Sequence, residues 1–283
     1  CFGNPATWCP LISFNLHGRD AARYCADELV AVGVRRRRIR DNLAESGRER
    51  RQAGLALIDG LHLIESYRQR IGPPRQLLVS TGGKSRPEVA ALLASLPLVP
   101  CVELSDALFR RLAPVQTPTG ILGVIPIPAR RPPPGNPEPC VLLEDVQDPG
   151  NLGSILRSAA AAGIRQVYLS AQCADLWSPR VLRAGMGAHF HLESFAGVDL
   201  AGFAAGFPGR LIATHLAARQ SVFDTDLTGH IGLIFGNEGA GLSRALLDAV
   251  DCVVAIPMPG QTESLNIAAA AAVCLFERVR QLG

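Results

Sequence analysis

Three polar, glycine-bearing segments hold the side chains best suited to chemistry. The first is Asp148-Pro149-Gly150-Asn151-Leu152-Gly153-Ser154-Ile155-Leu156-Arg157, with an amide at Asn151 and a guanidinium at Arg157. The second is Gly236-Asn237-Glu238-Gly239-Ala240-Gly241, one carboxylate among three glycines. The third is Ile256-Pro257-Met258-Pro259-Gly260-Gln261-Thr262-Glu263-Ser264-Leu265-Asn266, rich in hydroxyls and amides. Such groups orient a polar substrate, handle protons and stabilise a developing negative charge. Glycines let main chain approach a ligand closely. Each segment also has a plain reading: a helix capped by Asn151 with an ordinary surface arginine, a loop with glycines at turns, and a helix cap near Ser264 and Asn266. All three follow predicted strands of one domain, and α/β sheets put their sites at the carboxyl ends of strands.

Other patterns fail on inspection. Gly82-Gly83-Lys84-Ser85 looks like a phosphate-binding loop, but the glycine required five residues before Gly83 is Leu78. No G-x-G-x-x-G follows a predicted strand, which disfavours a dinucleotide-dependent oxidoreductase. The eight cysteines form no C-x-x-C, and Cys140, Cys252 and Cys274 lie in apolar runs as small buried hydrophobes. A disulfide framework is not expected in a chain this long and apolar, and the compartment implied is a reducing cytoplasm. His189 and His191 stand at strand spacing without a third ligand, so no metal is expected.

The elements that would position these residues alternate between strand and helix. In the first half, strands are expected at 55–60, 77–80, 101–104 and 121–125, with helices from about 61 to 70 and over 87–96. In the second half, strands are expected at 141–144, 166–170, 188–192, 210–214, 231–235 and 253–256. Helices are expected at 152–162, 179–186, 200–205, 244–249 and 264–282. Near-continuous apolar strands such as 231–235 fit a parallel sheet covered on both faces.

The chain has 283 residues, 48% hydrophobic and 19% charged, which suits two globular domains rather than a disordered polyelectrolyte. Its apolar stretches fall short of the roughly 20 residues of a membrane span, and Arg19, Asp20 and Arg23 interrupt any signal-peptide core. The net charge of +3 divides unevenly: residues 1–134 hold 19 basic and 11 acidic groups, residues 135–283 hold 9 and 14. Between the halves, seven of the fourteen residues 126–139 are proline, a semi-rigid spacer. Arg35, Arg36, Arg37 and Arg38 begin a basic stretch reading equally as a solvated arm or as a phosphate-binding element. Lys84 is the one lysine among 28 basic residues, and a GC-rich genome accounts for that bias as simply as function does. The divisions are an extension at 1–34 with no clear assignment, an α/β domain at 35–125, the linker at 126–139 and a second α/β domain at 140–283.

The three polar segments resemble, in order and spacing, the signature motifs of the SpoU (TrmH-like) branch of the SPOUT superfamily, AdoMet-dependent RNA ribose 2′-O-methyltransferases. Arg183-Ala184-Gly185-Met186-Gly187-Ala188-His189-Phe190 resembles a further family element that usually has Ser where Gly185 stands. Thr117-Pro118-Thr119-Gly120-Ile121-Leu122-Gly123-Val124 and Leu57-Ile58-Asp59-Gly60 resemble parts of its N-terminal RNA-binding domain. The resemblance implies a trefoil-knotted C-terminal α/β domain behind a smaller RNA-binding α/β domain, acting as a cytoplasmic homodimer without membrane or metal. It implies S-adenosyl-L-methionine held by Thr214, Gly236, Asn237, Glu238, Gly239, Ile256, Met258, Ser264 and Leu265. It implies a catalytic group of Arg157, Glu238, Ser264 and Asn266 with Asn151 in support; the RNA contacts expected are Arg157 and, on the nucleic-acid reading of the basic stretch, Arg35, Arg36, Arg37 and Arg38. The family casts the arginine as a base, but guanidinium keeps its proton in proteins, so gripping phosphate and stabilising alkoxide suit it better. Ribosomal RNA is the expected substrate; transfer RNA, or a catalytically silent RNA-binding factor, are the alternatives.

Overall fold

The computed structural model describes residues 43–113, 118–128, 138–261 and 263–283. The run Arg35 to Arg38, the extension at 1–34, residues 129–137 of the proline segment, Thr117 and Thr262 lie outside them. The chain divides between Pro128 and Ala129 into two compact units.

The first unit is built on strands β1 (Leu55–Asp59), β2 (Gln76–Ser80), β3 (Cys101–Leu104) and β4 (Ile121–Pro126). Their order is β1-β4-β2-β3, with β4 antiparallel to both neighbours and β2 parallel to β3. Helices α1 (Gly47–Ala53), α2 (Leu61–Arg70), α3 (Thr81–Lys84), α4 (Pro87–Ser95) and α5 (Asp106–Leu112) accompany them. Period-2 alternation sends Leu55, Leu57, Leu122 and Val124 to one face, where they pack with Leu78, Phe109 and Leu112. Helices α1 and α5 were not expected; Ser46 and Ser105 cap them through side-chain bonds to Glu49 N and Leu108 N.

The second unit is a wholly parallel sheet of seven strands: β5 (Cys140–Leu143), β6 (Gln166–Leu169), β7 (Glu193–Ala196), β8 (Arg210–Thr214), β9 (Gln220–Ser221), β10 (Ile231–Phe235) and β11 (Cys252–Ala255). The order is β7-β6-β5-β10-β8-β11-β9. Its helices are α6 (Pro149–Ala161), α7 (Pro179–Gly185), α8 (Leu200–Ala205), α9 (Arg244–Leu247) and α10 (Ile267–Leu282). Alternate residues of one strand enter different cores. Val141, Leu143, Leu233 and Phe235 pack with α6, α7 and α10, whereas Cys140, Leu142 and Ile234 pack with α8 and α9. Both faces are therefore covered, as continuous apolar strands require. The parallel register aligns all the strands' carboxyl ends along one edge of the sheet, and the three polar segments leave from that edge.

Residues 188–192 do not form the expected strand. Met186 and Gly187 turn the chain at φ 47° and 90°, and Ala188–Phe190 is a single 3-10 turn; the strand is Glu193–Ala196. Apolar alternation in Ala188, Phe190 and Leu192 arises because all three are buried in a turn. His189 is buried with them, its Nε2 3.0 Å from the Leu176 carbonyl and its Nδ1 without a hydrogen-bond partner among the described residues. Burial pushes its pKa down to about 4, opposed in part by that hydrogen bond. Cys140 and Cys274 are buried, and their thiols are pushed up to about 12. Cys252 is only half-buried; its thiol donates to Gln220 Oε1.

Candidate active site

The site begins with helix α6. Pro149 occupies its first position, where a missing N–H costs nothing. The residue before it, Asp148, is the cap, accepting from Asn151 N at 2.7 Å. The capping role expected for Asn151 therefore falls to Asp148, and the Asn151 side chain is free to reach elsewhere. Its Nδ2 donates to Glu238 Oε1 at 2.8 Å, and its Oδ1 accepts from Asn266 Nδ2 at 2.9 Å. Asn266 is in turn the cap of α10, which begins at Ile267 rather than at 264; its Oδ1 accepts from Ala268 N at 2.9 Å and Ala269 N at 3.4 Å.

These contacts form a one-way relay. The amides at the start of α10 can only donate, so Asn266 must receive them with its oxygen and donate with its nitrogen. The same logic then sets Asn151, and the relay ends on the carboxylate of Glu238. Donors aligned in this way polarise one another, and the positive end of α10 feeds the same direction. Glu238 Oε1 is thereby held, while Oε2 has no partner among the described residues.

The glycine loop that carries Glu238 is fixed by Asn237. The Asn237 backbone pairs with Gly241 in both directions at 2.9 Å, and its Oδ1 accepts from Gly239 N and Ala240 N, both at 2.9 Å. Its Nδ2 donates to the Asp145 carbonyl at 2.8 Å. Every polar group of Asn237 is thus used within the protein, which makes it a brace for the loop. Asp145 has φ 54°, unusual for a residue with a side chain, and is held there by reciprocal bonds with Ser170 Oγ, 2.9 Å to its amide and 2.5 Å to its carboxylate. Glu144 Oε2 accepts from Ser243 N at 2.7 Å and closes the far side of the loop. Asp145, Ser170 and Glu144 were not among the expected residues. A polar side chain just past a buried strand is the signal that marks each of them.

Thr214, Gly236 and Ile256 end or follow the adjacent strands β8, β10 and β11. Thr214 Oγ1 donates to the Ile234 carbonyl at 3.4 Å. Ile256 and Met258 are half-buried, whereas Leu265 and Ser264 are exposed. Among the described residues, a Cβ at Gly260 would have no atom within 4 Å and one at Gly239 only Asn237 Oδ1 at 3.6 Å, so main chain lies open to them there. Open backbone with half-buried aliphatic side chains suits a ligand with an apolar ring and polar ends. Arg157, two turns into α6, is exposed and has no ionic or hydrogen-bonded partner among the described residues. The relay thus joins Asn151, Glu238 and Asn266 directly, while Arg157 and Ser264 have no hydrogen bond to it among the described residues. Among the described residues no group of three or more His, Cys, Asp or Glu could hold a metal.

Comparison with known proteins gives this arrangement a context. Residues 138–276 match the SpoU rRNA Methylase family, and residues 38–123 match the MRM3-like substrate binding domain. An uncharacterized tRNA/rRNA methyltransferase of Synechocystis is 35% identical over 237 residues, covering 82% of this chain and 86% of that protein. The 23S rRNA (guanosine(2553)-2′-O)-methyltransferase RlmP of Bacillus subtilis is 31% identical, covering 81% and 90%. The SpoU methyltransferase AviRb of Streptomyces viridochromogenes, solved in complex with AdoMet, superposes with TM-score 0.73 at 31% identity, covering 85% of this chain and 95% of that one.

Proposed function

Since the chain belongs to the SpoU rRNA methylase family, we propose that it transfers a methyl group from S-adenosyl-L-methionine to a ribose 2′-hydroxyl of ribosomal RNA. The single observation that carries the reading is the relay from α10 through Asn266 and Asn151 to Glu238, which draws all three polar segments into one site. The cofactor's place in this reading is the open main chain beside Gly239 and Gly260, lined by Thr214, Gly236, Ile256, Met258, Ser264 and Leu265. Held there, AdoMet would supply an electrophilic methyl carbon on a sulfonium whose sulfur leaves as the neutral thioether. Asn237 contributes by bracing the loop.

A 2′-hydroxyl is a poor nucleophile, so the protein's own residues must orient it and ease the loss of its proton. Arg157 is assigned the adjacent phosphate and the charge developing on the attacking oxygen; its fork geometry matches that task. Glu238 offers Oε2 as an acceptor whose direction the relay has already set. Ser264, exposed beside the relay, offers a hydroxyl to the same substrate.

The first unit is assigned to RNA capture, residues 126–139 to a spacer, and the knotted path goes with the second unit. Ribosomal RNA is favoured over transfer RNA because relatives named for a nucleotide target, RlmP among them, are named for 23S rRNA. No described helix is long and apolar enough to cross a membrane, and a cytoplasmic homodimer completes the reading. On α10, Phe276, Val279 and Leu282 are exposed at intervals of three residues, an apolar stripe suited to a second copy. Sedimentation at micromolar concentration is expected to show a dimer. The decisive test supplies labelled AdoMet with ribosomal or transfer RNA from a strain lacking the gene and digests the product to nucleosides. A 2′-O-methyl nucleoside from ribosomal RNA is expected; base methylation, or no transfer to either RNA, overturns the proposal.

A further inference from the structure

We infer that helices α6 and α7 of the second unit form a second RNA-gripping surface, in which Arg180 and Arg183 hold backbone phosphates flanking the nucleotide that Arg157 addresses. This rests on the RNA methyltransferase reading and extends it, because charge balance alone assigns RNA capture to the first unit.

Residues 135–283 carry 14 acidic groups against 9 arginines. In so acidic a unit most arginines are taken. Arg165 pairs with Glu138, Arg210 with Asp226, Arg244 with Asp248 and Arg280 with Glu277. Arg278 is buried and donates to the carbonyls of Leu227 and Gly229. Arg157, Arg180, Arg183 and Arg219 remain, exposed and unpaired among the described residues. Three of these four lie on α6 and α7, whose sequences contain no Asp or Glu at all. The carboxylates just outside them, Asp148 and Asp175, accept from the backbone N–H groups of Asn151 and Trp177.

The two helices are also bound closely enough to act as one surface. A Cβ at Gly153 would stand 2.4 Å from Ala184 Cβ and 2.7 Å from the Val181 carbonyl, so the glycine lets α6 and α7 meet backbone to backbone. Arg180 and Arg183 are three residues apart and share one face of α7. Arg180 occupies the second position of α7, where the helix dipole favours an anion and opposes a cation. A guanidinium kept there against the local field, in a unit with acids to spare, fits a task outside the fold. The chemistry is that of a partner for a polyanion: several forked donors and no carboxylate on either helix.

The test uses the full chain, with ribosomal RNA from a strain lacking the gene as probe. It compares wild type with Arg180→Glu/Arg183→Glu and with Arg180→Ala and Arg183→Ala singly. Arg165→Ala, at the amino end of β6 and away from the site, is the control. The double reversal is expected to raise the KM for RNA at least about tenfold and to flatten the salt dependence of RNA binding, with AdoMet affinity unchanged. Each single alanine variant, which removes only an exposed side chain, is expected to reduce the salt slope by about one. Unchanged KM and salt slope in these variants, with wild type active, overturns this inference alone. Absence of methyl transfer by wild type overturns the underlying reading instead.

Discussion

Both units end their strands in glycine-marked polar clusters, and the two clusters are finished in opposite ways. In the first unit, a Cβ at Gly83 would lie 2.3 Å from the Gly120 carbonyl, and one at Gly120 would lie 2.7 Å from Gly83 Cα. The polar groups around them bind one another: Gly83 N to Ser80 Oγ, Gly82 N to Asp106 Oδ1, Thr119 Oγ1 to Asp59 Oδ1, and Lys84 to Glu103 at 2.6 Å. The loop that resembles a phosphate cradle is closed, its lysine neutralised and its amides spent. In the second unit the relay also satisfies most of its members, yet it leaves Glu238 Oε2, Arg157 and the main chain at Gly260 unspent. Glycine content is the same signal in both places. What separates packing from a site is whether donors and acceptors remain after the fold has taken its share.

That contrast predicts where each change will register. The largest effect is expected at the open end: Arg157→Ala should lower methyl transfer about a thousandfold while AdoMet affinity holds, and Arg157→Lys should recover little of it because the fork is lost. Labelled-methyl turnover with parallel calorimetry measures both, and near-normal turnover in the lysine variant removes the assigned role. The next effect is at a closed contact of the second unit. A Cβ at Gly185 would meet His189 Cε1 at 2.8 Å, so the imidazole is enclosed, and its neutral form is the one the fold accepts. The unfolded chain takes up a proton below about 6.5. Stability should therefore be complete above that pH and decline by about 3 kcal/mol as pH falls towards 4. Thermal unfolding of wild type against His189→Gln should show this component only in wild type.

Third comes Gly83→Ala, expected to cost about 2 kcal/mol through overpacking against Gly120, seen as a lower Tm. Asn266→Ala straddles the two classes. It removes a cap worth about 1 kcal/mol and releases Asn151, so a small drop in Tm should accompany about a tenfold loss of turnover. The smallest stability change is expected for Gly260→Ala, under about 0.5 kcal/mol, with weakened AdoMet binding as its main consequence. A reversal, with Gly83→Ala harming only activity and Gly260→Ala only stability, would break the comparison.

Element type was legible wherever burial was two-sided. Arg210–Thr214, Ile231–Phe235 and Leu200–Ala205 stand where periodicity puts them. The misplaced strand at 188–192 shows the limit, because period-2 apolar spacing cannot distinguish a pleated strand from a buried turn that opens with two left-handed residues. The loops of the site were visible from their composition, but its bonds were not. Asn151 and Glu238 are 87 residues apart, and nothing local to Asn151 shows that Asp148 frees it from capping. Asn237 looked like a ligand contact for the same reason; its five internal hydrogen bonds are set by residues both near and 92 positions away.

The relay has a consequence in time as well as in space. Its members lie 115 and 87 residues apart, so two long loops must close before the carboxylate is aimed. During synthesis the sheet strands through β11 emerge first, and the hydroxyls and amides that complete the site come after them. Until residue 266 and the helix it caps have left the ribosome, Asn151 lacks the donor that sets its orientation toward Glu238. Completion of the relay therefore waits on residue 266 and the helix it caps.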